Sequence, residues 1–156
     1  LNLIVLNIFF FYFTYIMTKN LKTLLLIDEI LHIYLENNIL TIKLLGESFT
    51  DEIIDKMFCV IELFYDICKN KDQKFHTIYD ITNGKFVNLP NYLYYINSFS
   101  TFLQKHSDFY TLYLHNTLII TKSNLGKTLC NSVLMNYTPT RPIKFITETE
   151  PIDFNF

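Results

Sequence analysis

The stretch Thr121-Lys122-Ser123-Asn124-Leu125-Gly126-Lys127-Thr128 carries the residue types that hold a phosphate. In a phosphate-binding loop, backbone N–H groups and a lysine cradle the anion, while the Ser or Thr hydroxyl reaches magnesium. Gly126, Lys127 and Thr128 supply that ending, and Asp80, after an apolar run, stands where a second magnesium ligand would be sought. The glycine that lets such a loop curl around its phosphate is replaced here by Thr121. The bland reading is therefore the stronger one: Gly126-Lys127-Thr128 is the first turn of an ordinary helix, and nucleotide binding is the alternative.

Other chemistries find less support. Zinc needs ligands in close pairs, and neither Cys59, Cys68 and Cys130 nor His32, His76, His106 and His115 supply one, so no metal site is expected. Cys59 and Cys68 lie nine apart within an apolar helical pattern, and all three cysteines read as reduced core thiols of a cytoplasmic protein. There is no Gly-x-Ser-x-Gly elbow. Asp28-Glu29 and Asp51-Glu52 are adjacent pairs, which do not share a helix face and so do not make an acid–base couple. A non-enzyme without a cofactor is the expectation.

Charge narrows the partners. The net charge is −2, Arg141 is the one arginine, and the lysines are scattered, which leaves no footprint for nucleic acid. The chain has 156 residues, 50% of them hydrophobic and 18% charged, enough apolar surface to close one core. It contains no Ala or Trp, and Lys outnumbers Arg twelve to one, the imprint of AT-rich codons. Periodicity is for that reason a better guide than composition.

The elements that must position these residues follow from that periodicity. Ile30–Glu36 and Ile39–Leu45 are apolar runs joined by Asn37-Asn38, a dipeptide that tolerates positive φ, and they predict a β-hairpin. The apolar segment Leu21–Ile33 before it reads as an irregular strand or a helical turn. Ser48 or Thr50 caps a helix over Asp51–Lys69, whose Ile53, Ile54, Met57, Phe58, Ile61, Phe64, Tyr65 and Cys68 fall on one face. Phe75–Tyr79 is a short strand ending in Asp80. Leu89–Lys105 follows as a helix capped by Asn88, with Pro90 in its first turn and Leu93, Ile96, Phe99 and Leu103 on a common face. Phe109–Leu114 and Leu118–Ile120 read as a strand broken at His115-Asn116. A helix capped by Ser123 runs through Met135 with Leu125, Leu129 and Val133 stacked, Thr138–Pro142 stops it, and Ile143–Thr147 is a last strand.

The fold class this predicts is α/β: a single mixed sheet, an N-terminal hairpin followed by parallel strands, with three or more crossover helices. Residues 19–156 form one domain. Residues 1–18 are uncharged, and Leu1–Ile16 is nearly all aliphatic or aromatic ahead of the first methionine, Met17. That segment reads either as an untranslated leader translated in frame or as a membrane anchor, and only the second would make the membrane a partner.

This order of elements, together with Ile78-Tyr79-Asp80-Ile81-Thr82 and the C-terminal stretch Asn116–Thr149, resembles the STAS family, the domain of sulfate transporters and anti-sigma-factor antagonists. Thr147-Glu148-Thr149-Glu150 is similar to the acidic helix start that follows the last strand in diverged, stand-alone members. The resemblance covers about Ile30 to Ile152. It implies binding without catalysis, to a protein partner or a small apolar or anionic ligand, around Asp80, Thr82, Asn88 and Leu89. Regulatory members carry a phosphorylatable serine at the position Leu89 takes here, so the resemblance implies a domain without that switch, with Asn88 left in the capping role.

Overall fold

The computed structural model describes residues 23–27, 29–46, 50–84 and 92–156. The leader 1–18, Ser48, Asn88, Leu89 and Pro90 lie outside the described residues. The elements run β1 (Thr23–Ile27), β2 (Leu31–Glu36), β3 (Ile39–Leu44), α1 (Asp51–Lys71), β4 (Phe75–Asp80), α2 (Tyr92–Lys105), α3 (Ser107–Tyr113), β5 (Leu114–Ile120), α4 (Asn124–Asn136) and β6 (Ile143–Ile146). The strands make one sheet whose spatial order is the chain order, β1-β2-β3-β4-β5-β6. The first two pairings are antiparallel and the remaining three parallel, the mixed α/β sheet that the periodicity predicts.

The hairpin forms where Asn37-Asn38 placed it. Both asparagines take positive φ, 48° and 63°, and Glu36 pairs with Ile39 across a two-residue loop. Thr50 caps α1 by accepting from the Ile53 amide, and Asp72 ends the helix in the left-handed conformation. Each parallel crossover steps to the next strand in one direction, so crossovers of constant hand place their helices on one face of the sheet. The buried contacts agree. Leu31, Ile33 and Leu35 of β2, Leu40 and Ile42 of β3, Phe75 of β4 and Leu114 of β5 share a core with α1, α2 and α3. Tyr65 of α1 stacks on Phe109 at 4.3 Å, and its hydroxyl meets that of Tyr110 at 2.7 Å. The opposite face carries a smaller cluster, Ile78, Leu118 and Ile146, with Phe154 of the tail against it.

The segment before the hairpin takes the first of its two readings: it is the irregular strand, β1, paired with β2 with a register shift between Leu24 and Leu26. Several expectations are corrected. Ser107–Tyr113 is helical, not the start of a strand: Phe109 and Tyr110 are consecutive and both buried, which a half-covered strand does not allow, and the Thr111 hydroxyl donates back to the Ser107 carbonyl. The expected break at His115-Asn116 is a β-bulge inside a continuous β5, where the register to β4 shifts between Phe75 and Thr77. Thr147–Glu150 begins no helix. The Glu150 carboxylate accepts from the Thr147 amide at 2.9 Å and hydroxyl at 3.0 Å, but Pro151 lacks the N–H that a next turn would need and disfavours helical φ and ψ at Glu150. The chain instead turns back along the sheet, where Asn116 Nδ2 donates to the Phe154 carbonyl at 2.6 Å. Cys59 is exposed, so only Cys68 and Cys130 have core character. Leu93 and Leu125, expected on buried helix faces, are 72% and 47% exposed.

Candidate functional site

Two places bring together residues that could bind something. The first is the carboxyl end of β4. In parallel register Asp80 lies opposite Lys43 of β3, and their side chains form an ion pair at 3.0 Å. Asp80 Oδ1 also accepts from the Thr82 amide at 3.1 Å and from the Thr82 hydroxyl, closing an Asx-type turn as the chain leaves the sheet. Burial would raise the Asp80 carboxyl, but the Thr82 and Lys43 donors outweigh it and hold the group below its ordinary range. The same pair raises the Lys43 ammonium against the opposing effect of burial. Asp80 and Thr82, two residues apart in the chain, are thus bound to each other, and the Asp80 carboxylate is also paired with Lys43. Asn88 and Leu89 lie outside the described residues, on the path from this turn to α2.

Gly126, Lys127 and Thr128 sit in the first turns of α4. The Ser123 hydroxyl caps the Gly126 amide at 3.3 Å, the Ser123 carbonyl takes the Lys127 amide at 3.0 Å, and the Ser123 amide donates to Thr121 Oγ1 at 3.2 Å. The Thr128 hydroxyl donates to the Asn124 carbonyl at 2.9 Å, and Lys127 Nζ lies over the Phe145 ring of β6, 5.7 Å from its centroid. Much of the donor set that a phosphate-binding loop turns toward its ligand is here used within the helix start.

The second place is a cavity of about 180 Å³ between the sheet and the helices. Its floor is Thr77 of β4 and Thr117 of β5, which pair directly across the two strands. Their neighbours on the same face are Phe75, Tyr79, Leu114 and Ile119. Two short side chains opposite each other, amid large ones, leave a volume that the close packing of protein interiors would otherwise fill. The roof comes from α2 (Tyr95, Ile96, Phe99, Leu103) and α4 (Leu129, Cys130, Val133, Leu134). Ser100 fixes the two helices together, its hydroxyl lying 2.7 Å from the Ile96 carbonyl and 3.2 Å from that of Val133. Ile81 lines the cavity at the carboxyl end of the sheet, beside the Asp80–Thr82 turn, and the turn Tyr137–Arg141 borders it near the start of β6. No family model, curated protein or solved structure matches the chain.

Burial governs the titratable side chains that line the cavity. Burial pushes the Tyr79 and Tyr110 hydroxyls up, so both are protonated donors at neutral pH. Burial likewise pushes the Cys130 thiol up to about 12, which makes it a poor nucleophile. No Asp or Glu lines the walls among the described residues, and the one formal charge there is Arg141. Its guanidinium Nη2 donates to the Thr111 carbonyl. Among the described residues no group of three or more His, Cys, Asp and Glu side chains could hold a metal ion, and no helix is long and apolar enough to cross a membrane. The sequence reading missed this cavity and Arg141. The available signal was a threonine at the inward-facing position between Phe75 and Tyr79 in β4 and another between Leu114 and Ile119 in β5.

Proposed function

We propose that this chain is a non-catalytic, STAS-like binding domain whose cavity between the sheet and α2–α4 receives a small, mainly apolar ligand. The observation that carries this is the cavity of about 180 Å³ floored by Thr77 and Thr117 and walled by aliphatic and aromatic side chains. Binding sites are concave, mostly apolar and furnished with a few oriented polar groups. The STAS-like assignment is supported by the hairpin leading into sequentially ordered parallel strands and by Asp80 at the end of β4, just before the path to α2. Ile81, between Asp80 and Thr82, lines the cavity, so the turn singled out by the resemblance and the cavity are contiguous. Occupancy would bear on Ile81 and so on the Asp80–Thr82 turn, a route by which a ligand could alter a protein-binding surface. A cytoplasmic location fits the free thiols Cys59, Cys68 and Cys130.

Thermal unfolding with toluene as a neutral probe tests the reading. Ligand at a hundred times its dissociation constant stabilises by about 2.7 kcal/mol, which is several degrees for a domain of this size. That shift should vanish in Val133→Phe, which fills the cavity from α4. No shift, or one that persists in Val133→Phe, contradicts the proposal. So does stabilisation by ATP and magnesium that disappears in Lys127→Ala, since that result would favour the nucleotide-binding alternative.

A further inference from the structure

Arg141 is the feature of the cavity that simple apolar binding does not use. It is partly buried, lies in the cavity wall near the start of β6, and makes no ion pair among the described residues. One N–H of its Nη2 goes to the Thr111 carbonyl, which leaves the other, while its Nε is buried and has no hydrogen-bond partner among the described residues. A buried donor on a charged group without an acceptor is costly. The guanidinium fork is also suited to the planar, two-oxygen geometry of a carboxylate. No acidic side chain lines the cavity among the described residues, so the wall itself offers this charge no counterion.

Size sets the rest of the ligand. A dry apolar cavity of roughly 150 Å³ holds benzene, and this one, at about 180 Å³, is slightly larger. It has room for one six-membered ring, or an aliphatic body of similar bulk, with a small substituent. We propose that the ligand is a small apolar monocarboxylate, its hydrocarbon body over Thr77 and Thr117 and its carboxylate on Arg141. This rests on the proposed function and specifies its ligand class. The occupant is distinguished from a neutral hydrocarbon by the unmatched positive charge, and from a phosphorylated metabolite by walls that carry no second cation among the described residues.

Calorimetric titration with benzoate and benzamide, nearly the same shape but differing in charge, tests it on the unaltered protein. Benzoate should bind about ten-fold or more tightly than benzamide, the difference a charge-assisted hydrogen bond supplies. In Arg141→Gln that advantage should disappear while benzamide affinity is unchanged, and Arg141→Lys should restore it only in part because the fork is lost. Equal or tighter binding of benzamide to the unaltered protein overturns the carboxylate assignment and leaves the proposed function standing. If neither compound binds and toluene gives no thermal shift, the proposed function itself fails. Should Arg141→Gln not fold, the benzoate–benzamide ratio in the unaltered protein still decides the matter.

Discussion

Replacing Thr117 by isoleucine should stabilise the protein. Thr117 is 4% exposed and faces the cavity of about 180 Å³ from its floor, directly opposite Thr77. Isoleucine keeps the β-branch that suits a central strand. It exchanges the hydroxyl for carbon and adds one further carbon, which the empty volume can accept. At about 0.8 kcal/mol for each buried methylene, with a further contribution from no longer burying a hydroxyl, the gain is about 1 to 2 kcal/mol. For a chain of this length that is a rise of about 2–8 °C in Tm. Urea denaturation should show a higher midpoint with an unchanged slope. Toluene should then stabilise less, because the added carbon takes up part of the space it would fill. If the floor is in truth closely packed, the same change overpacks the core and costs roughly 1–3 kcal/mol. A lowered midpoint would refute the reasoning.

Other outcomes follow from the same structure. Leu118→Ala removes a fully buried side chain from the small cluster with Ile78 and Ile146, and should cost about 2–5 kcal/mol by denaturant titration. Lys105 and His106 hold the Glu62 carboxyl below its ordinary value against the opposing effect of burial. Their contribution is present above the unfolded value of 4.5 and is lost as pH falls through the lower folded value, so Glu62→Gln should flatten the acid limb of a stability–pH curve. His76 behaves with the same sign: burial and then the neighbouring His115 depress it, so stability is full above its unfolded value of 6.5 and falls as the pH drops toward the folded value. NMR titration of the His76 ring should give a midpoint below 6.5. With a thiol-specific reagent, exposed Cys59 should react first, ahead of Cys68 and Cys130, whose thiols burial pushes up to about 12.

The parts of the fold that were legible are those fixed by local chemistry. Asn37-Asn38 can take the positive φ of a tight turn, and the three-and-four spacing from Ile53 to Cys68 has one helical solution. Ser107–Tyr113 was misread because Phe, Tyr and Thr favour strands by propensity, whereas packing of Phe109 and Tyr110 on Tyr65 of α1 decides the matter. Thr147–Glu150 has the pattern of a capping box, and the proline just beyond it cancels the helix. The Asp80–Thr82 turn at the end of β4 was legible because it lies within one short segment of the chain. The cavity was not, since it exists only because Thr77 and Thr117 meet across two strands far apart in sequence. Arg141 read as part of a helix stop for the same reason: the volume it borders is assembled from both halves of the domain.

The central claim is that this cavity binds. A ¹H–¹⁵N correlation spectrum recorded during titration with toluene tests it most directly. Saturable shifts are expected at the residues of its floor and roof, Thr77, Thr117, Ile96, Leu129 and Val133, with little change at Ile78, Leu118 and Ile146 on the opposite face. Shifts centred on that opposite face, or none at saturating toluene, would contradict it.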